Sequence, residues 1–336
     1  MEKNSTSDPF LSLLQERILQ KKIPPHSGGV LKHFYLSYMR ALQAAGMPAE
    51  NYLPLFVTYL NEACHQIAHP YLFSPYHIHI RAPFDYHAFG LDFVRPLVDK
   101  TTSSLVGMPH IDEIYSLIKK GDNVIFLANH QTEADPQFIA LLLEDAYPEL
   151  GSEMIFVAGE RVITDPLAVP LSLGCNLLCI FSKRYIDYPP EEKARKQLHN
   201  KKTMKLMSEL LSEGGKIIYV APSGGRDRMN TSGIVEIAPF DPQSIEMFYL
   251  MAQKAKRPTH FYPMALNTYT LLPPPETIQR ELGEMRLVSR GGAHLAIGAE
   301  IDMEHPRGDL DKHTLRKARA EYIWKLVYED YLKLQE

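Results

Sequence analysis

From about residue 120 onward, short apolar runs alternate with longer stretches of helical periodicity, and this alternation restricts the chain more than any other feature. Val124-Ile125-Phe126-Leu127-Ala128 precedes a loop and a helical run over residues 136–144. Met154-Ile155-Phe156-Val157-Ala158 and Leu177-Leu178-Cys179-Ile180-Phe181 follow, and a polar helix over 191–212 leads into a strand at 216–220. A further strand at 260–266 precedes a closing helix at 315–334. Strands that recur with helices between them predict an α/β fold with a mixed, largely parallel sheet flanked by helices. The first seventy residues keep a purely helical rhythm. Phe10, Leu11, Leu14 and Ile18 form one stripe behind the capping Ser7-Asp8-Pro9. Val30, Phe34, Tyr38 and Leu42 form a second, and Tyr52, Phe56, Tyr59, Ala63 and Ile67 a third that stops before Pro70. Three amphipathic helices with short loops predict a small antiparallel bundle. The expected division is residues 1–72 for the bundle and 73–336 for the α/β domain, with residues 70–120 the least legible.

Composition removes several classes. With 36 basic and 40 acidic residues the formal charge is −4, so a chain that wraps duplex nucleic acid with a basic face is not expected. The 45% hydrophobic and 23% charged content is that of an ordinary globular protein, which argues against disordered and fibrous classes. Three cysteines, Cys64, Cys175 and Cys179, are too few for a disulfide framework or a four-ligand zinc site. His77-Ile78-His79 offers two imidazoles on one strand face but no third ligand, so no metal centre is expected. The longest charge-free runs, residues 166–182 and 258–275, are interrupted by proline or glycine and do not suit a spanning helix of about 20 residues. Met1-Glu2-Lys3-Asn4-Ser5 has no apolar leader. The expectation is a cytoplasmic protein without a transmembrane segment, with peripheral membrane contact left open.

Two segments carry chemistry. Asn129-His130-Gln131-Thr132-Glu133-Ala134-Asp135-Pro136 directly follows a strand, and loops at the carboxyl ends of sheet strands are where α/β proteins place their ligands. His130 can act as a general base, and Asp135 can fix its tautomer and stabilise the imidazolium. The competing reading makes Asp135-Pro136 a helix start only. Ala221-Pro222-Ser223-Gly224-Gly225-Arg226-Asp227-Arg228 follows another strand, and its two arginines can converge on one anion. It is neither a Walker loop nor a nucleophile elbow, because no lysine follows the glycines and Ala221 stands where a glycine is needed. Between residues 183 and 205, eight basic against three acidic residues leave +5, enough to steer an acidic partner unless the run is only a solvated helix face.

In this order the segments resemble the soluble, plastid-type glycerol-3-phosphate 1-acyltransferases, a family also present in some bacteria. The resemblance includes Val157-Ala158-Gly159-Glu160-Arg161-Val162-Ile163-Thr164-Asp165-Pro166, Asn176-Leu177-Leu178-Cys179 with Ser182-Lys183, Ala238-Pro239-Phe240-Asp241, Tyr262-Pro263 and Pro273-Pro274-Pro275, and spans at least residues 120–285. It implies a helical bundle joined to an α/β catalytic domain. It also implies transfer of a fatty acyl group, without a cofactor, from acyl carrier protein or coenzyme A to the sn-1 hydroxyl of glycerol 3-phosphate. By position, His130 and Asp135 match the catalytic pair, and Arg226 and Arg228 match phosphate-binding arginines. Lys183 and Arg184 are expected to join them, with Ser223 and Tyr185 in support. Where plant members carry Lys-His after Ser-Lys, this chain has Arg184-Tyr185; Arg184 keeps the charge and Tyr185 does not. A lysophospholipid acyltransferase, which usually carries a strongly apolar segment, and a non-catalytic phosphate- or lipid-binding module are the alternative classes.

Overall fold

The computed structural model of the chain describes residues 8–182, 186–275, 283–307 and 311–335. Its strands, in chain order, are β1 (Tyr76–His77), β2 (Ser104–Val106), β3 (Asn123–Ala128), β4 (Ile155–Ala158), β5 (Asn176–Cys179), β6 (Ile217–Val220), β7 (Arg228–Met229), β8 (Val235–Glu236), β9 (Thr259–Asn267) and β10 (His294–Ile297). The helices are α1 (Pro9–Leu19), α2 (Pro25–Ala44), α3 (Leu53–Ala68), α4 (Tyr86–Val94), α5 (Met108–Lys119), α6 (Asp135–Leu143), α7 (Pro148–Glu153), α8 (Glu160–Thr164), α9 (Val169–Ser172), α10 (Lys193–Glu213), α11 (Pro242–Lys254) and α12 (Lys312–Lys333).

β3 explains the architecture. Every residue of Asn123–Ala128 is buried, and a strand covered on both faces must read as a continuous apolar run. It lies near the middle of an eight-stranded sheet ordered β1-β5-β4-β6-β3-β9-β10-β2. β5, β4, β6, β3 and β9 run parallel, with Val124 opposite Ile217 on one side and His260 on the other. β1 pairs antiparallel to β5 at one edge, and β10 antiparallel to β9 toward the other, where β2 runs parallel to β10. The mixed, largely parallel sheet expected from the alternation is therefore present. Alternate residues of the central strands feed two cores. Ile125, Leu127, Ile218 and Phe261 pack against Met207 and Leu211 of α10, Phe248 of α11 and Ile323 and Val327 of α12. Val124, Phe126 and Tyr262 face Ile111 and Ile114 of α5 and Ile139 and Leu143 of α6.

The helical stripes fall on α1, α2 and α3, except that Tyr52 lies in the short 3-10 turn just before α3. Asp8 caps α1 through its side chain, which accepts from the backbone N–H groups of Phe10 and Leu11, and its other oxygen accepts from the Tyr35 hydroxyl at 2.7 Å. These helices share a core with Phe89 and Phe93 of α4, Leu97, Leu167 and Val288. Tyr38 donates to the Phe93 carbonyl at 2.8 Å, and the Val288 N–H donates to Ser37 Oγ at 3.1 Å.

Candidate active site

Because β3, β4, β5 and β6 run in one direction, the loops that follow them gather at one end of the sheet. The loop after β3 holds His130 and that after β6 holds Arg226. The loop after β4 enters α8 with Glu160 and Arg161. The loop after β5 leads to Lys183, Arg184 and Tyr185, which lie outside the described residues.

Asp135 is 1% exposed and is the first residue of α6, whose N-cap is Ala134. Its carboxylate does not cap that helix but turns back to the preceding loop. Oδ2 accepts from His130 Nδ1 at 2.8 Å and from the Gln131 N–H at 2.9 Å. Oδ1 accepts from the Thr132 N–H at 3.1 Å and from the hydroxyls of Thr132 and Thr268, each at 3.0 Å. The two backbone N–H groups can only donate, which makes both oxygens of this carboxylate acceptors toward the hydroxyls and the imidazole as well. Nδ1 of His130 must then carry the hydrogen, which leaves Nε2 with a free lone pair on a side chain that is 31% exposed. Such an imidazole is oriented to take a proton from a hydroxyl.

Asn129 and Gln131 flank the histidine and are buried. Asn129 is pinned at both ends: its Oδ1 accepts from the Leu266 N–H at 2.7 Å, and its Nδ2 donates to the Leu266 carbonyl at 2.9 Å and to Asp227 Oδ2 at 2.8 Å. Gln131 Oε1 accepts from the N–H groups of Thr268 and Tyr269, while its Nε2 reaches Asp227 Oδ2 at 3.3 Å. Asp227 also accepts from the Ala238 N–H at 3.0 Å, and its own N–H donates to the His130 carbonyl at 2.7 Å. The loop carrying Arg226 and Arg228 is thus fastened to the histidine loop through the residue between the two arginines. Burial pushes the Asp227 carboxyl up to about 6, against the pull of its hydrogen-bond donors.

Arg226 is 13% exposed at its side chain; its guanidinium donates to Glu284 and lies 3.8 Å from Glu133 Oε1. Arg228 donates to the Pro275 carbonyl, and burial together with the charge of Arg226 holds its pKa below the ordinary arginine value. Ser223 donates to the Gly225 carbonyl at 2.8 Å, and Gly224 takes φ +63°, a turn that glycine adopts without steric cost. Beneath this loop Arg286 donates to Glu133 at 2.9 Å and to Asp165 at 2.9 Å. Burial opposes its charge, but Glu133 and Asp165 more than offset that and raise its pKa. Burial likewise opposes ionisation of Glu133, yet Arg286 and Arg226 hold it below the usual carboxylate range.

Sequence reasoning therefore places His130, Asp135, Arg226, Arg228 and Ser223 on two loops that meet, and it misses Asp227, Glu133, Arg161, Asp165, Glu284, Arg286 and Thr268. The charge-free run after Pro166 packs inward, with Leu167, Val169, Leu173 and Leu178 buried. Cys175 and Cys179 are buried and burial pushes both thiols up to about 12, so neither competes with His130 as a reactive group at neutral pH. Among the described residues, no helix is long and apolar enough to cross a membrane.

Residues 112–267 match the family described as Acyltransferase. The chain is 35% identical over 326 residues to the chloroplastic glycerol-3-phosphate acyltransferase of Arabidopsis thaliana, covering 96% of this chain and 71% of that one. It is 37% identical over 325 residues to the chloroplastic glycerol-3-phosphate acyltransferase of Pisum sativum, again covering 96% and 71%. Among solved structures, the 1-acyl-sn-glycerophosphate (LPA) acyltransferase PlsC from Thermotoga maritima aligns over 97% of this chain and 95% of its own, at 18% identity and a TM-score of 0.42, too distant to inform the site. On the strength of the plant relatives, the chain belongs to the glycerol-3-phosphate acyltransferase family of enzymes.

Proposed function

We propose that the chain transfers a fatty acyl group directly from a thioester, carried by acyl carrier protein or coenzyme A, to the sn-1 hydroxyl of glycerol 3-phosphate. His130 Nε2 takes the hydroxyl proton as the oxygen attacks the thioester carbonyl, and Asp135 holds the ring and stabilises the imidazolium. Collapse of the tetrahedral intermediate breaks the carbon–sulfur bond; the thiolate leaves and takes up the proton, giving 1-acyl-sn-glycerol 3-phosphate and a free thiol. Arg226 and Arg228, joined by Lys183 and Arg184, hold the phosphate, so that they act by positioning the hydroxyl. The observation that carries this reading is the Asp227 junction, which brings a histidine with a free Nε2 and an arginine pair onto one rigid unit.

The exposed face of α10 supports acyl carrier protein as donor. Lys193, Arg195, Lys201, Lys202 and Lys205 are exposed there, and the helix begins beside the catalytic end, where its buried Lys196 reaches Glu160 at 3.0 Å. An acidic carrier is steered by such a face in a salt-dependent way. Incubating the protein and glycerol 3-phosphate with a labelled fatty acyl group carried as the thioester of acyl carrier protein, and separately of coenzyme A, is the test. Labelled 1-acyl-sn-glycerol 3-phosphate is the expected product; acylation of a lysophospholipid instead, or no transfer from either thioester, contradicts the proposal.

A further inference from the structure

Glu284 is 3% exposed, and two guanidiniums from different elements close on its carboxylate. Arg161, on α8 just after β4, donates through Nη1 to Oε1, and Arg226, from the loop after β6, donates through Nη2 to Oε2. Each carboxylate oxygen thus has its own arginine, a pair of charge-assisted contacts of the kind that also holds phosphate oxygens. Arg161 also has capacity left over: among the described residues its Nη2 is buried without a hydrogen-bond partner. A buried donor left unpaired is unfavourable, so a position that keeps one is a position for a further acceptor. Arg228 stands close enough that the charge of Arg161 contributes to lowering its pKa.

We propose that Arg161 is a further guanidinium of the phosphate subsite, beside Arg226 and Arg228, and that Glu284 and the phosphate of the acceptor compete for the same pair, Arg161 and Arg226. This rests on the reading of Arg226 as a phosphate ligand and extends it. The carboxylate keeps two buried cations compensated and aligned, since a buried charge without a partner is strongly unfavourable. A phosphate dianion offers more charge and a third oxygen, which meets the unused Arg161 Nη2. Glycerol has no anion with which to displace Glu284, so the exchange also selects for a phosphorylated acceptor.

The test is steady-state kinetics with glycerol 3-phosphate varied and the acyl donor as internal control, alongside inhibition by inorganic phosphate. Arg161→Ala is expected to raise the KM for glycerol 3-phosphate at least about tenfold, as for loss of a charge-assisted contact, with the KM for the acyl donor unchanged. Arg161→Lys keeps the charge, loses the fork and falls between. Glu284→Gln keeps the shape and removes the competing charge, so glycerol 3-phosphate and inorganic phosphate should both bind severalfold more tightly; this variant also serves if Arg161→Ala does not fold. An unchanged KM in Arg161→Ala, or an unchanged or raised KM in Glu284→Gln, overturns the proposal. Arg226→Ala separates the two levels: if it raises the KM and Arg161→Ala does not, only the present inference fails, whereas if Arg226→Ala has no effect the phosphate reading itself fails.

Discussion

The core beneath α1–α3 and the site at the strand ends are both buried, yet they are built from opposite materials. Under the helices, aromatic rings meet ring to ring: Tyr38 and Phe56 have centroids 5.0 Å apart at 77°, Phe56 and Phe93 5.2 Å at 68°, and Tyr59 and Phe93 5.1 Å at 66°. At the strand ends the buried side chains include Asp135, Asp165, Asp227, Glu284 and Arg286 beside Asn129 and Gln131, held by directed bonds. Aromatic packing is non-directional in its main term and scales with buried area, so damage there is expected to appear as lost stability. A polar network depends on every donor having its acceptor, so damage there is expected to appear first in turnover and acceptor binding.

The sharpest way to break that contrast is His130→Ala. A general base contributes typically about 10²- to 10⁴-fold, or roughly 3–5 kcal/mol at 1.36 kcal/mol per decade, and kcat should fall by that amount. The partly exposed ring contributes little packing, so thermal unfolding should hardly move; normal turnover removes His130 from the role. Phe56→Ala is the counterpart in the other region. Truncating a fully buried phenylalanine costs about 3–5 kcal/mol, read by denaturant unfolding, while kcat/KM per folded molecule should stay at the wild-type value. A selective loss of kcat/KM at unchanged stability would merge the two regions.

Asp227 yields a smaller effect that depends on pH. Its carboxyl binds a proton up to about pH 6 in the folded chain, against an ordinary value of 3.8. Between those values the folded state holds the proton and the unfolded state does not, so this group's contribution to stability grows as pH falls through 6 toward 4 and is lost as pH rises. The shift corresponds to roughly 3 kcal/mol at 1.36 kcal/mol per unit. Asp227→Asn should remove that slope, measured as the difference in unfolding free energy between pH 4 and pH 7 for the two proteins; equal slopes count against it. The variant should also lower kcat, because its amide NH2 must face either Asn129 Nδ2, which cannot flip while Leu266 holds both its ends, or the Ala238 N–H, and both of these are donors. The least effect is expected for Tyr38→Phe, which takes one hydrogen bond from the Phe93 carbonyl and leaves the rings in place. About 1 kcal/mol should be lost in denaturant unfolding, with no change in kinetics.

The elements legible in the sequence are those whose burial writes a period into the chain. β3, β6 and β9, the stripes on α1–α3, and α12 announce themselves because one or both faces are apolar throughout. β1 and β2, of two and three residues, are too short to show alternation, and α8 and α9 too short to show a helical stripe. Among site residues, the pair His130 and Asp135 is local, separated by one loop, and the competing helix-start reading of Asp135 gives way because its carboxylate faces back rather than forward. Glu284 and Arg286 carry no local motif; they reach Arg226 and Glu133 across 58 and 153 residues. Only the folded sheet ends bring those charges together.

The most direct measurement of the central claim is a kinetic comparison of wild type, His130→Ala and Arg226→Ala with glycerol 3-phosphate varied at saturating acyl donor. Two separate signatures are expected. His130→Ala loses kcat by at least about 10² with the acceptor KM nearly unchanged, and Arg226→Ala raises the acceptor KM while leaving the acyl donor KM alone. An Arg226→Ala enzyme with an unaltered acceptor KM, or a His130→Ala enzyme with wild-type turnover, would contradict it.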